Sequence, residues 1–244
     1  MTNIRVFATP KEWTEDDVRG SFAIVIDVLR ASSTITQALA NGAREVVPVA
    51  TPAEAGEFAV KAGRNDVILG GERDGKQIEG FDLGNSPFEY TREQIAGRTV
   101  VFASTNGSPT LVRAKPAEMI VVGCFNNFTA VAAEARKSEL DVSVLCSGRN
   151  GKFSIEDFVC AGKIVDSLQN GNGIGNDGAQ GSLDLFRYYR SQIAEVVRNS
   201  YHGKYLAGLG FSDDLDHCSK VDIHQIVPAL IEGKIRVTRT NGGS

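Results

Sequence analysis

Residues 21–42 read SFAIVIDVLRASSTITQALANG. The opening SFAIVID (21–27) is a short, unbroken apolar run that ends on a carboxylate, the pattern of a strand buried on both faces. The STITQALANG that follows (33–42) is amphipathic and stops at Asn41-Gly42, a helix with its terminating signal. Strand, polar turn, helix: the same unit recurs outward along the chain. REVVPV (44–49) predicts the next strand. Thr51-Pro52-Ala53-Glu54 then opens a helix, with Thr51 as N-cap, Pro52 in the first turn and Glu54 closing a capping box. NDVILGGE (65–72) is a strand running into a polar, glycine-rich stretch, and RTVVFAS (98–104), AEMIVVG (117–123) and LDVSVLC (140–146) are three more strands. Helices are expected after Thr105, after Asn127 (FTAVAAEARK), after Ser154 and over 183–199. This alternation predicts an α/β protein, a three-layer α/β/α arrangement around a mostly parallel or mixed sheet. Residues 1–244 are expected to form a single compact unit. Within it GNGIGNDGAQGS (171–182) reads as a glycine-rich linker before a mainly helical C-terminal part, 183–244.

Composition narrows the function. Among 244 residues, 26 Lys and Arg against 30 Asp and Glu give a net charge of −4, which argues against a nucleic-acid partner. The four cysteines (Cys124, Cys146, Cys160, Cys218) are scattered without a C-x-x-C pair. No apolar run approaches the ~18 residues of a membrane span, and the N-terminus has no signal-peptide core. A cytoplasmic protein with no membrane partner is the expectation. Three separated histidines (His202, His217, His224) make no zinc cage, so a metal, if bound, would be a hard ion held by carboxylates. Glycine stands out: 26 residues, about 11% of the chain against an average of roughly 7%.

In an open parallel sheet, ligands bind beyond the carboxyl ends of the strands. Four segments leave those ends: Asp27 to Thr34, Gly70 to Gly75, Ala103 to Ser108 and Cys146 to Lys152. Each mixes glycine or small hydroxyl residues with charged or amide side chains, and helices follow most of them. That pattern points to an anion site, with phosphate the first candidate. Familiar motifs fail here. Cys146-x5-Lys152 has lysine where a C-x5-R phosphatase loop needs arginine. Gly151-Lys152 lacks both the first glycine and the hydroxyl of a P-loop. Gly173-x-Gly175-x-x-Gly178 has the spelling of a dinucleotide fingerprint but follows a helix instead of a strand. Asp27 ends a strand as a haloacid-dehalogenase nucleophile does, yet Leu29 replaces the second aspartate. Cys146, with no histidine near it in sequence, reads as a buried structural thiol.

Four blocks nevertheless resemble the 2-phosphosulfolactate phosphatase family: VIDVLRASSTI (25–35), GGERDGKQIEGFDLGNSPFEY (70–90), FASTNGSPTL (102–111) and CSGRNGKFSIEDFVCAG (146–162). A fifth, SDDLDHCSKVDIHQIVP (212–228), fits more weakly. The resemblance implies two similar, intertwined halves and a magnesium-dependent phosphatase acting on a small 2-phospho acid. The expected reaction is 2-phospho-3-sulfolactate to 3-sulfolactate and phosphate, a step of coenzyme M biosynthesis. Phosphatase action on other small phospho acids, or non-catalytic binding of small anionic metabolites, are the alternatives.

On this reading Asp27, Arg30, Glu72 and Arg149 are the catalytic candidates. Asp27 is either nucleophile or metal ligand, or a carboxylate capping its turn. Arg30 is a planar fork for an acid group, or the salt-bridge partner of Asp27. The metal candidates are Asp27, Glu72, Glu156 and Asp157. Glu156 and Asp157 are equally what a helix dipole attracts to a first turn, and Ser154 with Asp157 is close to a capping box. Substrate contacts are expected from Ser32, Ser33 and Thr34, from Arg73, Asn85 and Ser86, from Thr105, Asn106 and Gly107, and from Ser147, Gly148 and Lys152. Because the protein is net negative, Arg30, Arg73, Arg149 and Lys152 are expected to supply the local positive field that captures the substrate. A homodimer is the expected assembly.

Overall fold

Alternation inside the buried run Phe22–Ile26 sets the layers: Ile24 and Ile26 pack into one helical layer, Ala23 and Val25 into the other. A strand covered on both faces has no polar side to show, which is why it reads as a continuous apolar run. The structure, a computed structural model, describes residues 2–63, 66–169 and 173–238. In chain order the elements are β1 (Asn3–Phe7), α1 (Glu15–Val18), β2 (Phe22–Ile26), α2 (Ala31–Ala40), β3 (Glu45–Val49), α3 (Pro52–Ala62), β4 (Val67–Arg73) and β5 (Lys76–Gln77). There follow α4 (Arg92–Ile95), β6 (Thr99–Ala103), α5 (Gly107–Arg113), β7 (Met119–Gly123), α6 (Phe128–Ser138), β8 (Val142–Cys146) and α7 (Ile155–Leu168). The chain ends with β9 (Gly173–Ile174), α8 (Asp177–Tyr189), α9 (Ile193–Asn199), α10 (Tyr201–Gly208), α11 (Ser212–Ser219), β10 (Pro228–Ile231) and β11 (Lys234–Val237). The predicted α/β class and mixed sheet are what the structure has.

The sheet runs β5-β4-β6-β3-β11-β10-β7-β2-β8-β1-β9. Strands β4, β6 and β3 form one parallel block, and β7, β2, β8 and β1 another. The chain builds part of the second block, then the first, then returns to complete the second, so the two are intertwined. Between them the antiparallel hairpin β10–β11 makes a single bridge to β7 and another to β3. By those pairings the blocks run in opposite senses. Twist of roughly 20–25° per strand accumulates to more than about 100° over the five steps from β2 to β6. That twist allows the carboxyl ends of both blocks to face one another.

Three sequence expectations change. Residues 170–172 lie outside the described residues, but 173–182 form edge strand β9 and the first half of α8, not a linker. The glycines there serve close approach: a Cβ at Gly178 would lie 2.1 Å from the Val6 carbonyl oxygen, and one at Gly175 3.0 Å from that of Ile4. Asn176 caps α8, its side-chain oxygen accepting from the Ala179 amide. The helix expected over 183–199 is broken between α8 and α9. Finally, the C-terminal part is not purely helical. Ile231 pairs with Lys234 around Glu232-Gly233, both at positive φ (50° and 79°), the turn that a two-residue hairpin loop requires.

Candidate active site

The loops leaving β2, β4, β6 and β8 meet at one tight pocket, which is roofed by α10. From the strand ends come Asp27, Arg30, Glu72, Thr105, Asn106 and Arg149; from α10 come His202, Tyr205 and Leu206. Asp27 sits at its floor, 4% exposed. Its main chain is pinned by Ser32, whose hydroxyl accepts from the Asp27 amide at 2.9 Å. Burial pushes the Asp27 carboxyl up to about 7; Glu72 and Glu156 add to the rise, while His202 and the Ala31 amide oppose it. Space for this carboxylate depends on Gly107: a Cβ there would lie 2.8 Å from Asp27 Oδ2 and 2.7 Å from Ala31 Cβ.

Glu72 and Asp157 tie the loops together. Glu72 accepts from the Gly75 amide (2.8 Å) and the Thr105 amide (2.7 Å), joining the ends of β4 and β6. Asp157, on α7, accepts from the Val28 amide (2.8 Å) and the Gly148 amide (2.9 Å), joining the ends of β2 and β8. Burial, then the neighbouring Asp27 and Glu156, hold the Asp157 carboxyl well above the usual range. Glu156, also buried, lies 3.6 Å from His202 Nδ1.

Arg30 is fully engaged. It forms a buried ion pair with Asp214 (2.6 Å), donates to the Gly75 carbonyl (2.8 Å) and stacks on Phe211. Asp214 in turn accepts from the Ser86 hydroxyl at 2.7 Å. Arg149 differs: its guanidinium lies over the Tyr205 and Tyr201 rings, 4.3 and 5.1 Å from their centroids, and has no carboxylate partner among the described residues. Two buried polar atoms at the pocket, Asn85 Oδ1 and Thr105 Oγ1, have no hydrogen-bond partner. Buried polar groups are nearly always satisfied by protein, water or ligand, so this unpartnered pair is a candidate for contact with whatever fills the pocket.

The model of the family described as 2-phosphosulpholactate phosphatase matches residues 7–233. The chain belongs to that family. Among curated relatives, the probable 2-phosphosulfolactate phosphatase of Caldanaerobacter subterraneus subsp. tengcongensis is 37% identical over 97% of this chain and 98% of its own. Proteins of the same description from Thermotoga petrophila (43% identical, 86% and 89%) and Gloeobacter violaceus (39%, 92% and 94%) are similar over nearly as much. Family membership makes the chain a phosphoric monoester hydrolase and makes the pocket its candidate active site. Among the described residues, no helix is long and apolar enough to cross a membrane.

For this phosphatase the pocket gathers Asp27, Arg30, Glu72, Asn85, Thr105, Asn106 and Arg149 of the residues singled out from sequence. Others turn to the backbone. Ser33 donates to the Val28 carbonyl, Thr34 to that of Asn85, and Arg73 to those of Glu72 and Ala50. Gly148 holds a positive φ of 61° in the loop that Asp157 fastens. Lys152 is exposed and outside the pocket lining, and Ser147 lines a neighbouring cleft. Of the four expected cations, Arg73 and Lys152 lie outside the pocket lining, and Arg30 is neutralised by Asp214 and not, as the sequence suggested, by Asp27. That leaves Arg149 as the one arginine lining the pocket with no carboxylate partner among the described residues. Asp157 makes no capping box with Ser154. Cys146 is fully buried and burial pushes its thiol far up, as a structural cysteine requires. Missed were His202, Tyr205 and Asp214. Asp214 lies in the quoted block 212–228, but an acidic residue in a helix's first turn has an ordinary dipole explanation. His202 had no motif around it.

Proposed function

We propose that the chain hydrolyses the phosphate monoester of a small 2-phospho acid, 2-phospho-3-sulfolactate first among them, with magnesium. The observation that carries this reading is the charge balance of the pocket. Asp27, Glu72 and Glu156 are buried carboxylates in and around it, with Asp157 beside them held well above the usual carboxylate range and adding little charge, and Arg149 is the one unpaired arginine lining it among the described residues. A phosphate dianion would meet net negative charge there, so its capture calls for a divalent cation beside Arg149.

The donor set fits such an ion. Magnesium keeps several waters and takes one or two carboxylates plus substrate phosphate, and Asp27 with the neighbouring buried Glu156 supplies such a pair. Asp27, with Glu156, would hold it; Glu72 and Asp157 each have both oxygens on backbone amides. Bound there, the ion would neutralise phosphoryl oxygens and acidify water.

The chain's own residues supply the rest. Arg149 offers a planar fork, held flat by the two tyrosines, to an acid group of the substrate. The Thr105 hydroxyl and the Asn85 side chain make the contacts they otherwise lack. Tyr205 and Leu206 of α10 cover the pocket and limit water there, which strengthens every charge interaction beneath. Asp27, positioned by Ser32 and given room by Gly107, either attacks phosphorus or stays with the cation. The stereochemical course at an isotopically chiral phosphoryl group distinguishes the two: attack by Asp27 followed by water gives two inversions and net retention, whereas direct attack by water gives net inversion.

Phosphate release from 2-phospho-3-sulfolactate, 2-phospholactate and phosphoglycolate, each with magnesium or EDTA, tests the proposal. Turnover is expected to be fastest on the sulfonated acid, to vanish in EDTA and to return with magnesium. Tight binding of all three without turnover would make the protein a carrier of small anions instead.

A further inference from the structure

A second cleft adjoins the active site, and the Thr105–Asn106 segment is the wall between them: both residues line both. It has a volume of about 460 Å³, within the usual range for small-molecule sites, and none of its lining residues is acidic. Two cations line it. Lys11 passes over Gly151, 3.1 Å from where a Cβ would sit, and has no carboxylate partner among the described residues. Arg113 stacks on Trp13, 4.0 Å from the ring centroid, and donates to the Pro10 and Trp13 carbonyls, so its charge too is unmatched by any described carboxylate. A third observation points to a ligand. Ser147 is 1% exposed, lines this cleft, and its hydroxyl has no hydrogen-bond partner. A buried, unsatisfied hydroxyl is destabilising, and a ligand oxygen would remove that cost.

We propose that this cleft is an accessory binding site for a small anionic organic molecule, distinct from the catalytic pocket. Its acid group lies between Lys11 and Ser147, and its short carbon skeleton rests against Pro10 and Pro109. The cleft's size favours an organic anion over a bare phosphate ion, which would leave most of it empty. The apolar rings of the two prolines favour the same choice.

The protein carries its own reporter, since Trp13, stacked under Arg113, is the only tryptophan in the chain. The full chain with magnesium is titrated with propylphosphonate, whose C–P bond a phosphatase does not cleave, while Trp13 fluorescence is recorded. A saturable change is expected. Lys11→Glu should move its midpoint at least tenfold to higher concentration, Lys11→Gln by about threefold, and Arg149→Ala should leave it in place. Inorganic phosphate is expected to bind at least fivefold more weakly than propylphosphonate, and propanol not at all. Lys11 is exposed, and matching melting curves show that its variants fold. No Trp13 response, a midpoint that follows Arg149 and ignores Lys11, or a response to propanol overturns the proposal. So does phosphate binding as tightly as propylphosphonate. The readout needs no turnover, so it stands or falls separately from the phosphatase reading.

Discussion

Replacing Asp27 by asparagine is expected to stabilise the metal-free protein, and to do so more as pH rises. Burial moves the Asp27 carboxyl from 3.8 in the unfolded chain to about 7 in the folded one. A raised pKa means that the native state holds a proton the unfolded state has released. Stability is therefore fully present below 3.8, falls through the window between 3.8 and about 7, and is lowest above it. Within that window the loss is about 1.4 kcal/mol per pH unit. Between pH 4.5 and pH 8 it amounts to about 3 kcal/mol, all of it above the first value and below about 7. The amide of the Asp27→Asn variant has the same shape and no charge to desolvate, so its advantage over the natural protein should grow by that amount. For a chain of this length that is roughly 6–12 °C in Tm. Urea unfolding with EDTA present, followed by Trp13 fluorescence at pH 4.5 and pH 8, measures it. The variant should also lose hydrolysis, so the same carboxylate would be shown to serve activity at the expense of stability. A gap equal at the two pH values, or wider in acid, would refute the claim that Asp27 is held desolvated among like charges.

Three further outcomes follow from the packing. Gly107→Ala places a methyl against Asp27 Oδ2 and Ala31 Cβ and should lower kcat at least tenfold while costing only about 1–3 kcal/mol in a urea midpoint; an unchanged kcat would contradict the close approach. Asp214→Leu strands the buried Arg30 and should cost about 3–5 kcal/mol, whereas adding Arg30→Met should recover most of it, a non-additivity read from the double-mutant cycle with Arg30→Met alone. Cys146→Ala should keep phosphate release within about twofold, and the native protein should resist iodoacetamide at pH 8, because burial holds the thiol protonated.

The candidate site was legible where chemistry follows the strand order. Asp27, Glu72, Thr105, Asn106 and Arg149 all sit just past strands that read as apolar runs, and the rule that ligands gather at carboxyl ends found them. The hydroxyl run Ser32-Ser33-Thr34 looked like an anion cradle but spends its bonds on backbone, as small hydroxyl residues at a strand-to-helix turn often do. Arg30 shows the limit most sharply. Its charge was visible and its partner was not, because Asp214 lies 184 residues away on a helix that packs back over the loop. The glycines of 173–181 were read as slack, when close contact with β1 and α7 is what several of them provide. The hairpin around Glu232-Gly233 carries its signal in its turn residues, within a segment whose other elements are mainly helical.

By itself, then, the sequence determined the layers and the loops. Period, caps and apolar runs are local properties, and a strand buried on both faces announces itself within seven residues. Tertiary structure alone decided which of those loops' charges remain free. That depends on the twist that turns two opposed blocks toward one pocket, and on α10 and α11 closing over it. In the folded chain Asp214 neutralises Arg30, the tyrosines leave Arg149 unpaired, and Asp27 is pressed among carboxylates in a space too dry to ionise easily. Charge is written in the sequence, whereas its neutralisation and its solvation are set by neighbours brought together from more than a hundred residues away.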